Sequence, residues 1–355
     1  MNREWLWENA GYPIKYNLTK NESYIEQMLN NDEVKLWLNK LTDRVLCGDL
    51  SNIHGSHDYR YENIVGKCFI LGLDAKIPTL DTAMRFFVNF LNGHITKTYD
   101  DNLTFWKMYQ YRDYETVLSC YLPFLGYAEE KSVQYVANKR LDIVYEFVKQ
   151  GRYDVYRTDL TYPGANKAWK PYILDPDLYK DGNISLPSIH DMILFSGMYT
   201  YYGQEMKKKI NAVIKWIFND QYSLLNNNLY YYAQDDPSYK SKGINNKVIL
   251  CDVEKANFSP REAAALLFQC FIFSRFEEAQ SSRWFSKALD YLNGYKTETG
   301  RYLFPKEMLT EQKDSYVWNG GHMNAGESKK NKKYREILST YWMERIVENI
   351  GGDQR

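Results

Sequence analysis

Cysteine is scarce and unpatterned. Five stand at 47, 68, 120, 251 and 270, an odd set without a Cys-x-x-Cys. That excludes a disulfide framework and leads us to expect reduced thiols in a cytoplasmic protein. An excess of one charge is lacking too: 45 Lys+Arg balance 45 Asp+Glu over 355 residues. Neither a basic footprint for nucleic acid nor an acidic solvating tail follows from such a balance. Long apolar runs are missing. The best, Ala263 to Phe273, is interrupted by Gln269 and falls short of the roughly 18 residues that span a bilayer. No apolar run follows Met1-Asn2-Arg3-Glu4-Trp5, so no secretory leader is expected. Phosphate-cradling glycine loops and the Gly-x-Ser-x-Gly elbow are absent from the sequence. Strict apolar–polar alternation is rare, so little sheet is expected.

What is abundant is aromatic: 32 Tyr, 16 Phe and 9 Trp, or 16% of the chain. Helical periodicity dominates the rest. From Tyr24 to Leu41 apolar residues fall at 25, 28, 29, 34, 36, 37, 38 and 41, with a polar break near Asn30-Asn31-Asp32. Four later segments share one layout: a basic–acidic dipeptide, an apolar helix, a break, then an amphipathic helix. The dipeptides are His57-Asp58, Arg112-Asp113, His190-Asp191 and Arg261-Glu262. The apolar helices are 59–73, 114–127, 192–202 and 263–276, and the amphipathic ones 80–91, 131–149, 205–218 and 279–292. A further helix, 333–350, closes the series.

A helix apolar on every side must be buried on every side, whereas an amphipathic one buries a stripe. Repeated in alternation, the two kinds predict an inner ring wrapped by an outer ring. The expected fold is therefore all-α: a single α/α toroid over residues 1–355, with 1–50 packing on the ring as an N-terminal helical segment. Three long connections, 151–187, 220–260 and 294–326, hold much of the Tyr and Trp. Loops of that length are usually functional when they are not disordered, and their aromatic content argues against disorder.

This layout resembles the terpenoid cyclase and protein prenyltransferase α/α-toroid superfamily. The resemblance is carried by Tyr59–Leu73 with Thr82–Leu91, Asp113–Leu125, Leu186–Tyr199, Ser259–Phe276 and the tail Thr299-Gly300-Arg301-Tyr302-Leu303-Phe304-Pro305. It implies a toroid with a central ligand cavity. It implies no catalytic residue, because the superfamily's acidic and zinc motifs have no match. Asp175-Pro-Asp177, Asp235-Asp236, Asp100-Asp101-Asn102-Leu103-Thr104 and Cys251-Asp252 all depart from them.

In a toroid the four dipeptides sit at the first turns of inner helices, beside one mouth. His57, Asp58, Asp113, His190, Asp191 and Glu262 are thus candidate acid–base groups, with His322 of the Trp318-Asn319-Gly320-Gly321-His322 turn and Glu327 beside it. Arg112 and Arg261 are candidates for an anionic substrate group. Tyr59, Tyr162, Trp169, Tyr230 and Trp318 are candidates for its walls. The competing reading of the acids is plain capping, since carboxylates at helix starts complement the dipole and bond free N–H groups. No cofactor is expected; the one spacing that hints at a metal ion is His54, His57 and Asp58, with His190 or His322 from afar.

Three functions fit. One is a cyclase-like enzyme acting on a small organic or isoprenoid-like substrate. Another is a carbohydrate-active enzyme, a glycoside hydrolase or lyase, on a toroid fold. The third is a binding or scaffold protein without chemistry. A closed apolar cavity points to the first, and carboxylates across an open cleft to the second.

Overall fold

The fold was analysed in a computed structural model, which describes residues 2–48, 50, 52–95, 114–179, 183–233, 240–244, 247–255, 257–309 and 311–351. Arg112 and Asp113 of the second dipeptide lie outside the described residues, as do the acidic pairs at 100–101 and 235–236.

The N-terminal quarter begins with α1 (Asn2–Asn9) and α2 (Tyr12–Thr19). The stripe expected over 24–41 is divided into α3 (Ile25–Leu29) and α4 (Asp32–Leu46), because Asn31 stops one helix and caps the next, accepting from the Glu33 and Val34 N–H groups. Then come α5 (Tyr61–Ile70), α6 (Pro78–Ile95), α7 (Tyr114–Ser119) and α8 (Lys131–Val148). Next are α9 (Ile189–Met198), α10 (Gln204–Ile217) and the short α11 (Asp220–Ser223). The last four are α12 (Pro260–Phe273), α13 (Glu277–Gln280), α14 (Arg283–Asn293) and α15 (Tyr334–Ile350).

Two expected helices are shorter than their apolar pattern. The one expected over 114–127 stops at Ser119, because Pro123 and the left-handed Gly126 turn the chain through a 3-10 segment at Leu122–Leu125. The one expected over 279–292 is broken at Ser281-Ser282, where Ser282 caps α14 by accepting from Phe285 N–H.

Sheet is confined, among the described residues, to one hairpin. In it β1 (Leu229–Tyr232) pairs antiparallel with β2 (Ser241–Ile244), Leu229 opposite Ile244. Alternation turns Leu229 and Tyr231 toward the main core. Tyr230 and Tyr232 pack instead on a satellite cluster of Tyr162, Ala165 and Ile173.

Burial follows the two kinds of helix. Every residue of α5 and of α9 is buried, and α12 is buried from Ala263 onward. By contrast α10 buries Ile210, Val213, Ile214, Trp216 and Ile217 and turns its lysines outward. Each buried helix touches the next of its kind, α5 to α7, α7 to α9, α9 to α12 and α12 to α15. The amphipathic helices form a second succession, α4 to α6, α6 to α8, α8 to α10 and α10 to α13. The N-terminal segment joins both ends: α4 lies on α5, α1 lies on α15, and Asn17 of α2 bonds Tyr341 of α15. No helix of the described residues is long and apolar enough to cross a membrane.

One polar tie crosses this layering. Arg140 on α8 and Asp191 in the first turn of α9 are both buried, and the guanidinium grips the carboxylate through Nε and Nη2 at 2.9 Å each. Asp191 also closes a capping box with Ser188. Losing one member of a buried pair strands the other charge, which costs about 3–5 kcal/mol. Asp191→Asn should therefore lower unfolding stability by about that amount in a urea titration. Glu262→Ala, at an exposed capping box on α12, should change it far less.

Candidate functional site

Helix α5 is apolar on every side yet begins Tyr61-Glu62 and carries Lys67. Both charged side chains are wholly buried. Each must find partners there, because an unpaired buried charge costs more than folding can spare. Their partners define two linked polar centres.

At the first centre three donors from three segments meet Glu62. His54 Nδ1 lies 2.6 Å from Oε2, and His190 Nε2 lies 2.7 Å from Oε1. Trp318 Nε1 donates to Oε1 at 2.8 Å. Burial alone would raise the pKa of Glu62; the two histidines outweigh it and hold the carboxyl well below the usual range. The carboxylate accepts, so each imidazole turns an N–H toward it. That leaves His54 Nε2 and His190 Nδ1 as the second nitrogens of their rings. Neither has a hydrogen-bond partner among the described residues, and His190 Nδ1 is sealed from solvent. His54 is only partly covered, and Tyr316 stacks on its ring with centroids 5.5 Å apart.

The loop that brings Trp318 here depends on Gly320. Its φ is +72°, and a Cβ would lie 2.3 Å from the Ala264 carbonyl carbon on α12. Only glycine lets the loop lie so close to that helix. One residue earlier, Asn319, with its amide oxygen facing Arg261, accepts from that guanidinium at 2.7 and 3.0 Å. The first turns of α5, α9 and α12 therefore meet around a single loop.

At the second centre Lys67 Nζ reaches Glu33 at 2.7 Å and Glu311 at 2.9 Å. It also donates to the carbonyls of Asn324, at 2.6 Å, and His322, at 3.3 Å. His322 Nδ1 meets Glu311 Oε2 at 2.9 Å, and its Nε2 meets the Ser315 carbonyl at 3.0 Å. Both partners are acceptors, so both ring nitrogens must carry protons: His322 is an imidazolium here. Burial opposes that charge, but bonds to Asp58 and Glu311 raise the pKa of the ring above its ordinary value. An open groove of about 560 Å³ borders this network, lined by Trp37, Lys40, Asp58, Glu311, His322 and Glu327 among others.

The expected residues fall into distinct places. His190 and Trp318 belong to the first centre, and His322 and Asp58 to the second. His57 is half-exposed, paired with Asp314 at 3.1 Å and stacked on Tyr59. Asp191 is tied to Arg140 and a cap, and Glu262 is an exposed cap beside Lys255. Both therefore have the capping geometry that competed with the catalytic one. Glu327 does not pair with His322; it accepts from Gly11 N–H at 2.7 Å and from Asn331. Trp169 and Tyr230 stack on each other at 4.6 Å, and Tyr162 caps the satellite cluster by bonding the Arg157 carbonyl. These three form a separate aromatic patch, bound to each other by the hairpin.

The metal spacing takes a different form from the one expected. His54 groups with Glu62 and His190 rather than with His57 and Asp58, and the three donor atoms lie within 4.8 Å of one another. These residue types could hold a divalent ion. Here the short N–H contacts to the carboxylate, and the Trp318 N–H on the same oxygen, already satisfy Glu62 as a hydrogen-bonded anion. Sequence reasoning passed over Glu62, Lys67, Glu33, Glu311 and Arg140. The available signal was a charge within an otherwise apolar helix, clearest in Tyr61 to Ile70.

Comparison with family models, with curated proteins and with solved structures finds no match to this chain.

Acid sensitivity follows from the two centres. Burial works against ionised Glu311, but Lys67 and His322 hold it at about 2 against an ordinary 4.5. Between those values the unfolded chain binds more protons than the folded one, so stability falls as pH drops through that window. His322 has the opposite sign: its contribution is complete below its ordinary 6.5 and fades as pH rises through its higher folded value. Glu311→Gln should flatten the acid limb of a melting-temperature profile between about pH 4.5 and 2.

Proposed function

We propose that the chain is an acid–base enzyme built as an α/α toroid, with its active centre at the mouth where α5, α9 and α12 begin. What supports the toroid is the double succession of buried and amphipathic helices, with the N-terminal segment touching both ends. What carries the catalytic reading is one observation: a buried carboxylate orients two imidazoles and leaves His54 Nε2 unpaired on a partly open ring. A carboxylate bound to one imidazole nitrogen fixes the tautomer and aims the other nitrogen at substrate, which is how a general base is oriented.

The roles follow from position. His54 Nε2 takes the proton from substrate. Glu62 stabilises the imidazolium as it forms, and it is not the nucleophile, because it is wholly buried and three N–H donors engage its two oxygens. The Tyr316 hydroxyl, on a ring stacked against His54, is the candidate to return a proton to the leaving oxygen. Arg261, steadied by Asn319, is the candidate for a substrate carboxylate.

The substrate class we favour is carbohydrate, with proton abstraction next to a carboxylate and loss of a glycosidic oxygen, the lyase form of that reading. The groove at the second centre, joined to the first through helix α5, is open, and its lining of lysine, carboxylate, imidazole and tryptophan suits a hydroxylated chain better than an isoprenoid. The two carboxylates beside it, Glu33 and Glu311, share Lys67. They thus act as counter-ions for a buried cation instead of facing each other across a scissile bond.

Incubation with a panel of uronic-acid polysaccharides, read by the absorbance of the unsaturated product, tests this. The wild-type chain should turn over at least one member. His54→Gln should lower kcat by about 10²–10⁴-fold, while circular dichroism and melting temperature stay near wild type. Full activity in His54→Gln would remove the assignment. No turnover and no binding across the panel would favour a scaffold role.

A further inference from the structure

The opposite ends of the same buried helices hold a second, unrelated cavity. Beyond the C-terminal ends of α5, α9 and α12, and against α15, lies a space of about 370 Å³. Three cations line it, Lys20, Arg275 and Arg345, with Phe124 and Phe271 beneath them. Two of the three have their own carboxylates. Lys20 meets Asp74 at 3.1 Å, and Arg345 meets Glu348 at 3.7 Å, an acid it shares with Arg3.

Arg275 has none. No carboxylate pairs with it among the described residues. Its guanidinium lies over the Phe124 ring, 4.9 Å from the centroid. Its Nε is sealed from water without an acceptor. A cation just past a helix end complements the carbonyl dipole there, and Arg275 Nη1 does approach the Ser196 carbonyl at 3.4 Å. That long contact engages one N–H of five. Burial, and then the repelling charge of Arg345, lower the pKa of Arg275 to about 10. The chain thus holds a half-buried, fork-shaped donor set facing a cavity, beside a second cation; the one carboxylate among the lining residues, Glu348, is already engaged by Arg345 and Arg3 and does not reach Arg275.

We propose that this cavity binds a small oxyanion, a phosphate or carboxylate group, on Arg275 and Arg345, with any organic remainder lying on Phe124 and Phe271. Planar guanidinium groups match the two oxygens of such an anion, and the aromatic floor keeps water from competing. The site is independent of the catalytic reading, because it shares no side chain with either polar centre.

Thermal melts of the full chain in sodium phosphate, against sodium chloride at matched ionic strength, test the proposal. Phenyl phosphate and benzoate serve as separate arms that tell a phosphate head from a carboxylate head. A bound anion raises the melting temperature progressively with its concentration. We expect that rise with phosphate or with benzoate, beyond any effect of chloride. Arg275→Gln should weaken the apparent affinity at least tenfold while melting no lower than wild type without anion, since it removes a half-buried charge that no carboxylate pairs. If Arg275→Gln fails to fold, Arg345→Gln should show the same weakening. Equal responses to all salts would overturn the assignment, as would an anion response that survives these substitutions.

Discussion

Glu62 and Lys67 are charges placed inside a helix that has no exposed face, and this constraint organises much of the surrounding chain. Lipid-like packing would suffice to bury Ile64, Val65, Cys68 and Phe69. It cannot satisfy a carboxylate or an ammonium. The partners therefore come from elsewhere: His54 before α5, His190 from α9, Glu33 from α4, and Trp318, Glu311 and two carbonyls from the connection between α14 and α15. Two buried charges thus fix four segments to one helix.

The same constraint separates the two ends of the buried helices by chemistry. At the end where α5, α9 and α12 begin, acids and imidazoles are mutually satisfied save for one nitrogen on each of two rings. At the other end an arginine lacks an acid. The first pattern suits proton transfer, where a base must be oriented and yet free. The second suits recognition, where a fixed charge waits for its complement. Neither depends on the aromatic hairpin, whose Tyr162, Trp169, Tyr230 and Tyr232 bind chiefly one another. The tyrosine excess is therefore spread over core, loop and hairpin and does not converge on one wall.

Much of the fold was legible before any coordinates. The contrast between the uncharged stretch 263–274 and the one-sided 205–218 marks which helix is sealed and which faces water, since burial on all sides tolerates no charge that lacks a partner. Capping by Asp191 and Glu262 was one of the two readings for a similarly local reason, since a carboxylate in a first turn complements the dipole; their partners Ser188 and Ser259 came with the structure. The break near Asn31 was read from the sequence, whereas the one at Pro123 was not. Their consequences for helix length were not legible, because a proline or an asparagine competes with packing that only neighbours supply.

The sequence by itself determined that this is a mostly helical chain of alternating buried and amphipathic segments, because periodicity and burial are properties of each helix alone. It also placed chemistry-bearing residues at the starts of the buried helices. Only the tertiary structure decided which of them face one another. Asp191 turned to Arg140, Glu262 to solvent and His322 to Glu311, while His54 and His190 met on Glu62. These pairings join residues up to 128 positions apart. They are set by where whole helices lie, and no local spacing records that.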